Sequence, residues 1–516
     1  MSPVVLFLFV IIYFIVLLVL AYFTSRNSSN EAFFIGNRNS NWMLVAFGMI
    51  GTSLSGVTFI SVPGTVGDFA GDTHKSFVYF QVVIGYWIGY FVIAFVLLPL
   101  YYRLHLTSIY HYLRQRFGTI AYKTGATFFI ISRTIGATAR LYLVINVIQI
   151  FILDALHVPF IVTSVFILLM IILYTFKGGV KTIVYTDTLQ TSFMLLGLVV
   201  CIVAILNKLD LGFFSALQTL KSEQLTTLFN TDYKAPGFFM KQIFGGAFIA
   251  IAMTGLDQEM MQKNISVPNL KDSQKNVLTL STILLVVNFL FLLLGGILYI
   301  YAIKLGVDYK GDDLFPSIAL GGTLPFMVSI IFIIGLISAL FPSADGALTA
   351  LTSSFCIDIL GLKKKENLNE QQQKNTRWIV HFSFTILFFL LVMMFKWIND
   401  KSIIDVILKV AGYTYGPILG LFAFGILTKR EIKDNLSIYV CFAAPIIILV
   451  LDFINNIEWF AKKITMNPEW VANLTEFSNS IFFGYKIGIE ILIINGLLTM
   501  LGLFLISKGE NLQNKL

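Results

Sequence analysis

The chain has 516 residues, of which 57% are hydrophobic and only 12% are charged. A soluble protein of this length would carry roughly twice that charged fraction. The formal net charge of +8 does not indicate nucleic-acid binding, because Lys and Arg lie mainly in alternate loops, as they do in membrane proteins. The three cysteines are an odd number within apolar segments, which argues against disulfides and metal ligation: Cys201, Cys356 and Cys441.

Long apolar stretches recur along the chain, each bounded by charged loops or by loops rich in Gly, Pro and Asn. Stretches of about 18–35 residues predict an all-α polytopic membrane protein with about 13 transmembrane helices. In chain order the predicted spans cover residues 3–23, 42–65, 76–101, 122–152, 158–176, 183–206, 241–262, 275–303, 324–360, 376–396, 403–427, 436–455 and 480–506.

The loop charges predict the orientation of these spans. Basic residues recur in every second loop, beginning with Arg26 and Arg38 and including Lys263, Lys271 and Lys275. Because cytoplasmic loops carry the excess of Lys and Arg, we expect the N-terminus outside and the C-terminus in the cytoplasm. The protein is therefore predicted to be an integral protein of the plasma or inner membrane.

Two predicted spans contain small and polar residues near their centres. The stretch "FGMIGTSLSGVTFISVPG" covers 47–64, and "FGGAFIAIAMTGLDQEMMQKN" covers 244–264. A helix that unwinds in hydrocarbon is tolerated only where the freed carbonyls line a cavity or bind an ion. The two breaks lie five spans apart, which is the pattern of inverted repeats with a site at the midplane. Close helix packing would explain the Gly and Ser residues, but it explains Asp257 poorly.

Further ionisable residues fall inside the predicted spans, among them Asp187, Asp345, Arg133 and Arg140. A charge at this depth costs about 2.5–3.5 kcal/mol, so such residues are usually paired or functional. Either arginine could neutralise one of the aspartates, or it could bind a solute. Asp405 and Lys409 are one turn apart and are predicted to form a local pair.

The stretch "SALFPSADGALTALTSS", residues 338–354, places oxygen-bearing groups where a membrane helix normally carries leucine. Pro342 has no N–H to donate, which frees a carbonyl near Ser338. Ser343 lies one turn after Ala339, on the same helix face. A monovalent cation such as Na⁺ prefers carbonyl and hydroxyl oxygens, so this stretch predicts a cation site facing the broken second span.

Several ordered motifs resemble those of the sodium:solute symporter family: "GTSLSGVTFISVPG", "GGVKTIVYTDTLQ", "GLDQEMMQKN" followed by "DSQKN", "SALFPSADGALTALTSSFCIDIL" and "AGYTYGPILGLFAFGILTKR". The resemblance covers roughly residues 1–460 and implies the LeuT-like 5+5 inverted-repeat fold with peripheral helices. It divides the chain into an N-terminal helix and inner loop, the first repeat, an outer loop, the second repeat, and two C-terminal helices with a short tail, at 1–41, 42–206, 207–240, 241–427 and 428–516.

The resemblance also implies a sodium site. Two carbonyls of the first broken helix correspond to Gly51 and Leu54, and one from the eighth core helix corresponds to Ala339. Of the family's adjacent serine pair, Ser343 matches the second, whereas Pro342 replaces the first and has no hydroxyl. The aspartate that assists sodium binding corresponds to Asp187.

In members with two sodium sites, the second site uses further serines, which are here replaced by Asp345 and Gly346. A second site of that composition is therefore not expected. Asp345 is instead a candidate for a further ion or proton site.

The resemblance places the solute at the midplane, with Ser53, Thr58, Gln81, Asp257 and Tyr413 as candidate contacts. Sugar-transporting relatives carry a lysine where this chain has Leu284, so a hexose site of that type is disfavoured. Arg133 or Arg140 could bind a carboxylate through two hydrogen bonds, which favours an organic anion.

The predicted function is sodium-coupled symport that imports a small organic solute by alternating access across the lipid bilayer. Na⁺ is the expected coupling ion, and neither a nucleic acid nor an obligate protein partner is expected. Proton coupling through Asp345 and a transporter-like sensor are the alternatives, and a passive channel would be distinguished by solute accumulation. A membrane enzyme is disfavoured, because neither a credible catalytic triad nor a cluster of His and Cys is present.

Overall fold

The computed structural model describes residues 3–24, 40–67, 76–106, 108–362, 369–398, 403–463 and 466–508, with the backbone alone at 174, 176–181, 398 and 462–463. Its helices in the first half are α1 Pro3–Thr24, α2 Trp42–Ser53, α3 Gly56–Gly64, α4 Tyr79–Arg103, α5 His111–Arg116, α6 Thr119–Leu156, α7 Phe160–Leu209 and α8 Phe213–Ser222.

The second half contains α9 Phe239–Gly255, α10 Gln258–Ile265, α11 Leu270–Leu305, α12 Leu314–Leu320, α13 Phe326–Ile359, α14 Glu370–Ile398, α15 Ile403–Thr414, α16 Gly416–Leu427, α17 Asp434–Asn455, α18 Ile457–Lys463, α19 Pro468–Phe482 and α20 Ile491–Leu505. The short strands β1 Glu431–Ile432 and β2 Ser507–Lys508 pair antiparallel.

The described residues contain eight helices that are long and apolar enough to cross a membrane, or up to 11 if each bent helix pair is one span. This confirms a helical membrane-spanning protein. Two shorter apolar helices, Phe160–Leu173 and Ile491–Leu505, lie at the remaining predicted spans. The predicted count of about 13 agrees with this arrangement only if both of these also cross the bilayer.

The two predicted helix breaks are present. Helices α2 and α3 meet at an angle of 53° around Leu54 and Ser55, and α9 and α10 meet at 65° around Leu256 and Asp257. Asp257 ends the second break because its carboxylate accepts hydrogen bonds from the first N–H groups of α10.

A third break, of 47° between Thr414 and Gly416, was not predicted. Its sequence signal is Gly416–Pro417, since proline is favoured at the start of a new helix.

Two features differ from the sequence prediction. The predicted fifth and sixth spans form one continuous helix, α7, with no non-helical loop between them. The predicted outer loops 207–240 and 456–479 contain the helices α8, α18 and α19.

Helix α13 continues through Pro342 as a single predicted span, and the missing N–H of the proline is accommodated within a fully buried helix turn.

Close approaches of small residues bring α4 against α9, the first half of the second broken helix. A Cβ atom on Gly85 of α4 would lie 2.2 Å from the carbonyl oxygen of Ile243, and one on Gly246 of α9 would lie 2.3 Å from that of Val82. Larger side chains at these positions would separate α4 from α9, so glycine sets their spacing.

Helix α1 packs against α7 and α13, where its Tyr13 hydroxyl accepts a hydrogen bond from Ser338 Oγ at 2.6 Å. The predicted peripheral helix thus reaches the centre of α13.

A short segment covers the far end of the first broken helix. The 3₁₀ turn Gly311–Asp313 lies directly against α3, since a Cβ atom on Gly64 would lie 2.4 Å from the Gly311 carbonyl oxygen. In the same turn Asp312 accepts a hydrogen bond from the Ile403 N–H at 3.1 Å. One buried carboxylate therefore ties this turn to the start of α15.

Candidate functional site

A cavity of about 120 Å³ lies between the two broken helices. Its wall combines polar groups of the first break with aromatic rings of α4 and two arginines of α6, including Ser53, Thr58, Tyr79, Tyr86, Arg133 and Arg140. Leu284 of α11 also lines it, so no lysine stands at that position. The predicted solute contacts Ser53, Thr58, Arg133 and Arg140 are therefore brought together in one cavity.

Gln81 and Tyr413 do not line this cavity, contrary to their proposed role. The Gln81 amide donates to the Val78 carbonyl at 2.9 Å and accepts from the Asn230 N–H at 3.3 Å, so it anchors the segment that precedes α9. The Tyr413 hydroxyl donates to Asp452, which also pairs with Lys409 at 2.8 Å. Tyr413 and Lys409 of α15 therefore bind Asp452 of α17 and hold the two helices together.

Asp257 is also absent from the cavity wall and has a structural role. Its Oδ1 accepts hydrogen bonds from the Glu259 and Met260 N–H groups at 2.9 and 3.2 Å. Its Oδ2 accepts one from the Tyr415 hydroxyl at 3.0 Å. The carboxylate therefore begins α10 and fixes it to α15–α16 rather than binding a solute directly.

The two cavity arginines differ in their partners. Arg133 forms a buried ion pair with Glu259 and lies 3.9 Å from Asp257 Oδ2. Among the described residues Arg140 has neither a hydrogen-bond partner nor an ion-pair partner, although it faces the cavity. The charge of Arg133 is thus neutralised within the protein, whereas that of Arg140 is available to a bound anion. The role of Glu259 was missed, because its partner is distant in sequence.

The proposed sodium ligands lie where α2, α7 and α13 meet. The Gly51 N–H donates to Thr191 Oγ1 at 3.0 Å, and a Cβ atom on Gly51 would lie 3.5 Å from Pro342 Cγ. A Cβ atom on Gly56 would lie 4.0 Å from the Leu340 Cα. The first break and the 339–343 turn of α13 are therefore in direct contact, as the sequence predicts.

Leu54 and Ala339 are buried at this contact, and Leu54 leaves the helical conformation with φ −93° and ψ 73°. The Leu54 carbonyl therefore does not continue the helical hydrogen-bond pattern of α2. The Ser343 hydroxyl donates to the Leu340 carbonyl at 2.8 Å, so its oxygen lone pairs remain for a cation.

Asp187 is buried beside this contact and uses its two carboxylate oxygens differently. Oδ2 accepts a hydrogen bond from Thr52 Oγ1 at 3.2 Å and lies 2.7 Å from Lys263 Nζ. Oδ1 is buried with no hydrogen-bond partner among the described residues. Because an unsatisfied buried carboxylate oxygen is costly, Oδ1 is suited to a cation that enters from solution.

Lys263 corrects the loop assignment made from charge. It belongs to α10, its side chain is only 3% exposed, and its ammonium donates to Thr52 Oγ1 at 2.6 Å as well as to Asp187. Sequence reasoning counted it as an inner-loop charge, because the helix resumes after Asp257 by a cap that hydropathy does not detect.

Asp345 is fully buried on α13, and its Oδ1 accepts a hydrogen bond from the Gly346 N–H at 2.5 Å. Gly346 lies against Glu259, since a Cβ atom there would lie 2.2 Å from Glu259 Oε1. Asp345 therefore belongs to the same buried charged cluster as Glu259 and Lys263.

Comparisons with known proteins identify the family of the chain. A family model described as "Sodium:solute symporter family" matches residues 33–434. The chain is 24% identical to the sodium/sialic acid symporter SiaT of Proteus mirabilis over 437 residues, which cover 80% of this chain and 82% of that protein. It is also 24% identical to the sodium/sialic acid symporter NanT of Aliivibrio fischeri, with 79% and 80% covered.

Solved structures show the same fold. A Na⁺-coupled sialic acid symporter in a substrate-bound outward-open state aligns with a TM-score of 0.79 at 17% identity, covering 98% of both chains. The nucleobase-cation symporter Mhp1 aligns with a TM-score of 0.52 at 12% identity, covering 93% of this chain and 96% of that chain. The family match over most of the sequence establishes that the chain belongs to the sodium:solute symporter family and is a sodium-coupled symporter.

Proposed function

We propose that this symporter imports a small organic anion and that Arg140 binds the anion's carboxylate. The observation that carries the proposal is that the Arg140 guanidinium in the central cavity has no hydrogen-bond or ion-pair partner within the described parts of the chain, whereas Arg133 is already neutralised by Glu259. A guanidinium binds a carboxylate through two parallel hydrogen bonds, which fixes its orientation as well as its charge.

The rest of the cavity suits an anion that also carries hydroxyl groups. Ser53 and Thr58 of the first break present hydroxyls, and Asn288 of α11 adds an amide. Two relatives are named sodium/sialic acid symporters, and sialic acid is a carboxylate with several hydroxyls. Their likeness supports a polyhydroxylated carboxylate as the first solute to test.

The proposed sodium site consists of the Gly51, Leu54 and Ala339 carbonyls and the Ser343 hydroxyl, with Asp187 adjacent. Support comes from the contact of the first break with α13 and from the unpartnered Asp187 Oδ1. Pro342 contributes no side-chain ligand, so the site has one hydroxyl fewer than the usual serine pair would give.

The transport cycle follows from this adjacency. Sodium bound at the break would stabilise the bend of α2–α3, whose Ser53 lines the solute cavity, so sodium would raise solute affinity. Coupling of two binding sites is reciprocal, and the solute would raise sodium affinity equally. Release on the cytoplasmic side would follow rocking of one helix bundle against the other.

The finer architecture belongs to the same proposal. Residues 42–206 and 241–427 would form two inverted five-helix repeats, each beginning with a broken helix, within about 13 spans. The N-terminus would lie outside and the C-terminus in the cytoplasm of a plasma or inner membrane. The bent pairs at the start of each repeat support this division.

A thermal-shift panel on the detergent-purified protein tests the solute proposal. Sialic acid, monocarboxylates, hexoses and amino acids are each added in NaCl or in choline chloride at equal ionic strength. We expect stabilisation by a carboxylate in NaCl only. In Arg140→Gln the apparent Kd should rise about 10–100-fold, because a hydrogen bond to a charged group is worth about 1.5–3 kcal/mol.

Arg114→Gln is the matched control, because Arg114 is exposed on α5 and lies outside the cavity. Stabilisation by a hexose alone, or an unchanged carboxylate affinity in Arg140→Gln, would reject the anion proposal.

A further inference from the structure

A permanently attached cation lies beside the proposed sodium site. The Lys263 ammonium is within 2.7 Å of Asp187 Oδ2, 2.6 Å of Thr52 Oγ1 and 3.6 Å of Glu259 Oε1. Its side chain is 3% exposed, so these oxygens rather than water surround the charge. Carboxylate and hydroxyl oxygens are also the groups that a bound sodium ion would use.

We propose that the Lys263 ammonium is a tethered cation that takes the place of a second coupling ion, so that this symporter binds one sodium ion. The inference rests on the sodium site proposed above, which shares Asp187 with Lys263.

The electrostatics favour one mobile ion. A second sodium ion among the oxygens that already hold the ammonium would be repelled by its charge, because a buried site screens charges far less than water does. Asp345, also within electrostatic range of Lys263, carries a carboxylate where a sodium site would otherwise use a hydroxyl. The region next to Gly346 is filled by Glu259 Oε1. Charge and space therefore both oppose another ion beside Lys263.

The geometry also explains why a lysine serves this role rather than an apolar residue. Asp187 and Glu259 are both buried, and each has one oxygen without a hydrogen bond among the described residues. Without Lys263 the two carboxylates would lose their shared cationic neighbour. A sodium ion from solution, which carries one positive charge and binds oxygen ligands, would then replace the ammonium between the two carboxylates.

Equilibrium binding of ²²Na⁺ to the purified full chain, with no solute added, tests the inference. We expect the wild-type protein to bind one ion per chain. Lys263→Met should bind two, and Lys263→Gln should also bind two, because its amide keeps the hydrogen bond to Asp187 but lacks the charge. Lys263→Arg keeps the charge and should bind one.

Lys275→Met is the matched control and should bind one ion, since the Lys275 side chain is 52% exposed on α11. Two ions in the wild-type protein would overturn the inference even if no variant folds. One ion in both Lys263→Met and Lys263→Gln, with wild-type affinity, would overturn it as well.

The same assay separates this inference from the proposals on which it depends. Because no solute is present, the outcome does not depend on whether the solute is an anion. Ser343→Ala reports on the principal sodium site. If Ser343→Ala binds sodium like the wild type while the Lys263 variants gain an ion, the ligand assignment at Ser343 fails and the role of Lys263 remains.

Discussion

At the scale of single residues, the two oxygens of Asp187 serve different partners. Oδ2 is held by Thr52 and Lys263, whereas Oδ1 has no hydrogen bond within the described chain. This division keeps the carboxylate in place and leaves one oxygen for the proposed sodium ion. A carboxylate that had only the mobile ion as a partner would be buried and unpaired whenever the ion left.

Ser343→Ala should weaken sodium binding without unfolding the protein. The substitution removes one proposed oxygen ligand, and among the described residues the only hydrogen bond lost is the one to the Leu340 carbonyl of the same helix. We expect the Na⁺ concentration for half-maximal thermal stabilisation to rise about tenfold, which corresponds to about 1.4 kcal/mol.

Ser192→Ala is the control for this prediction, because Ser192 is exposed on α7 and its hydroxyl bonds only the Thr188 carbonyl of its own helix. A sodium titration of Ser343→Ala that overlays the wild-type curve would remove Ser343 from the ligand set.

Sequence alone identified the candidate residues but could not assign their partners. It left both arginines open as solute contacts, since Arg133 and Arg140 are seven residues apart and therefore lie on the same face of one helix. The distinction depends on Glu259, which is 126 residues from Arg133 in sequence and reaches it only through the fold. Lys263 was placed in a loop because hydropathy does not detect the helix that begins at the Asp257 cap.

At the scale of elements, α10 is held by ion pairs on two sides. Glu259 joins it to Arg133 of α6, and Lys263 joins it to Asp187 of α7. A helix of eight residues has little stability of its own, so these contacts and the Asp257 cap determine its position. Movement of α10 during transport therefore requires at least one of these pairs to change.

Glu259→Gln should lower the thermal stability of the protein. The substitution keeps the shape beside Gly346 but leaves the buried Arg133 without its main counter-charge, which typically costs about 3–5 kcal/mol. The unfolding temperature in detergent measures the effect. Glu476→Gln, on the exposed face of α19, should leave it unchanged. An equal unfolding temperature for Glu259→Gln and the wild type would show that the pair contributes nothing to stability.

The turn Gly311–Asp313 should make stability depend on pH. Burial raises the pKa of Asp312 from 3.8 to about 7, with Asp405 and Asp313 adding to the rise and the Ile403 N–H opposing it. The folded state then holds a proton that the unfolded state has lost. The protonated Asp312 carboxyl therefore contributes its full share of folding stability below about pH 4. That stability is lost as pH rises through 7, and the total loss is roughly 4 kcal/mol.

Asp312→Asn should reduce that dependence, because the amide oxygen can still accept the Ile403 hydrogen bond but does not titrate. Unfolding temperatures at pH 5, 6, 7 and 8 give the comparison. We expect the wild type to lose more stability than Asp312→Asn across this range. Parallel curves for the two proteins would assign the pH dependence to other groups.

At the scale of the whole molecule, the positions of the spans were predictable and their internal shapes were less so. A bilayer requires about 20 consecutive apolar residues per helix, which leaves a strong pattern in the sequence. The breaks at 54–55 and 256–257 were visible because Gly, Ser and Asp interrupt that pattern. The bend before Gly416 was not predicted, since the residues around it are otherwise apolar.

One sodium ion moving with one monovalent anion carries no net charge across the membrane. Uptake should then be insensitive to membrane potential, although each uncompensated charge would gain about 2.3 kcal/mol per 100 mV. Proteoliposomes with a potassium diffusion potential set by valinomycin, and the labelled anion selected by the thermal-shift panel, provide the measurement. Uptake that increases with an inside-negative potential would require a second cation or a neutral solute.

The hydrogen bond between Ser338 and Tyr13 has a practical consequence for handling this protein. Tyr13 belongs to the first helix, yet it contacts α13 one residue before the proposed ligand Ala339. Shortening the chain at its beginning, or fusing a bulky reporter there, would change how that ligand is supported. Affinity tags and fluorescent reporters for sodium-binding work therefore belong at the other end of the chain.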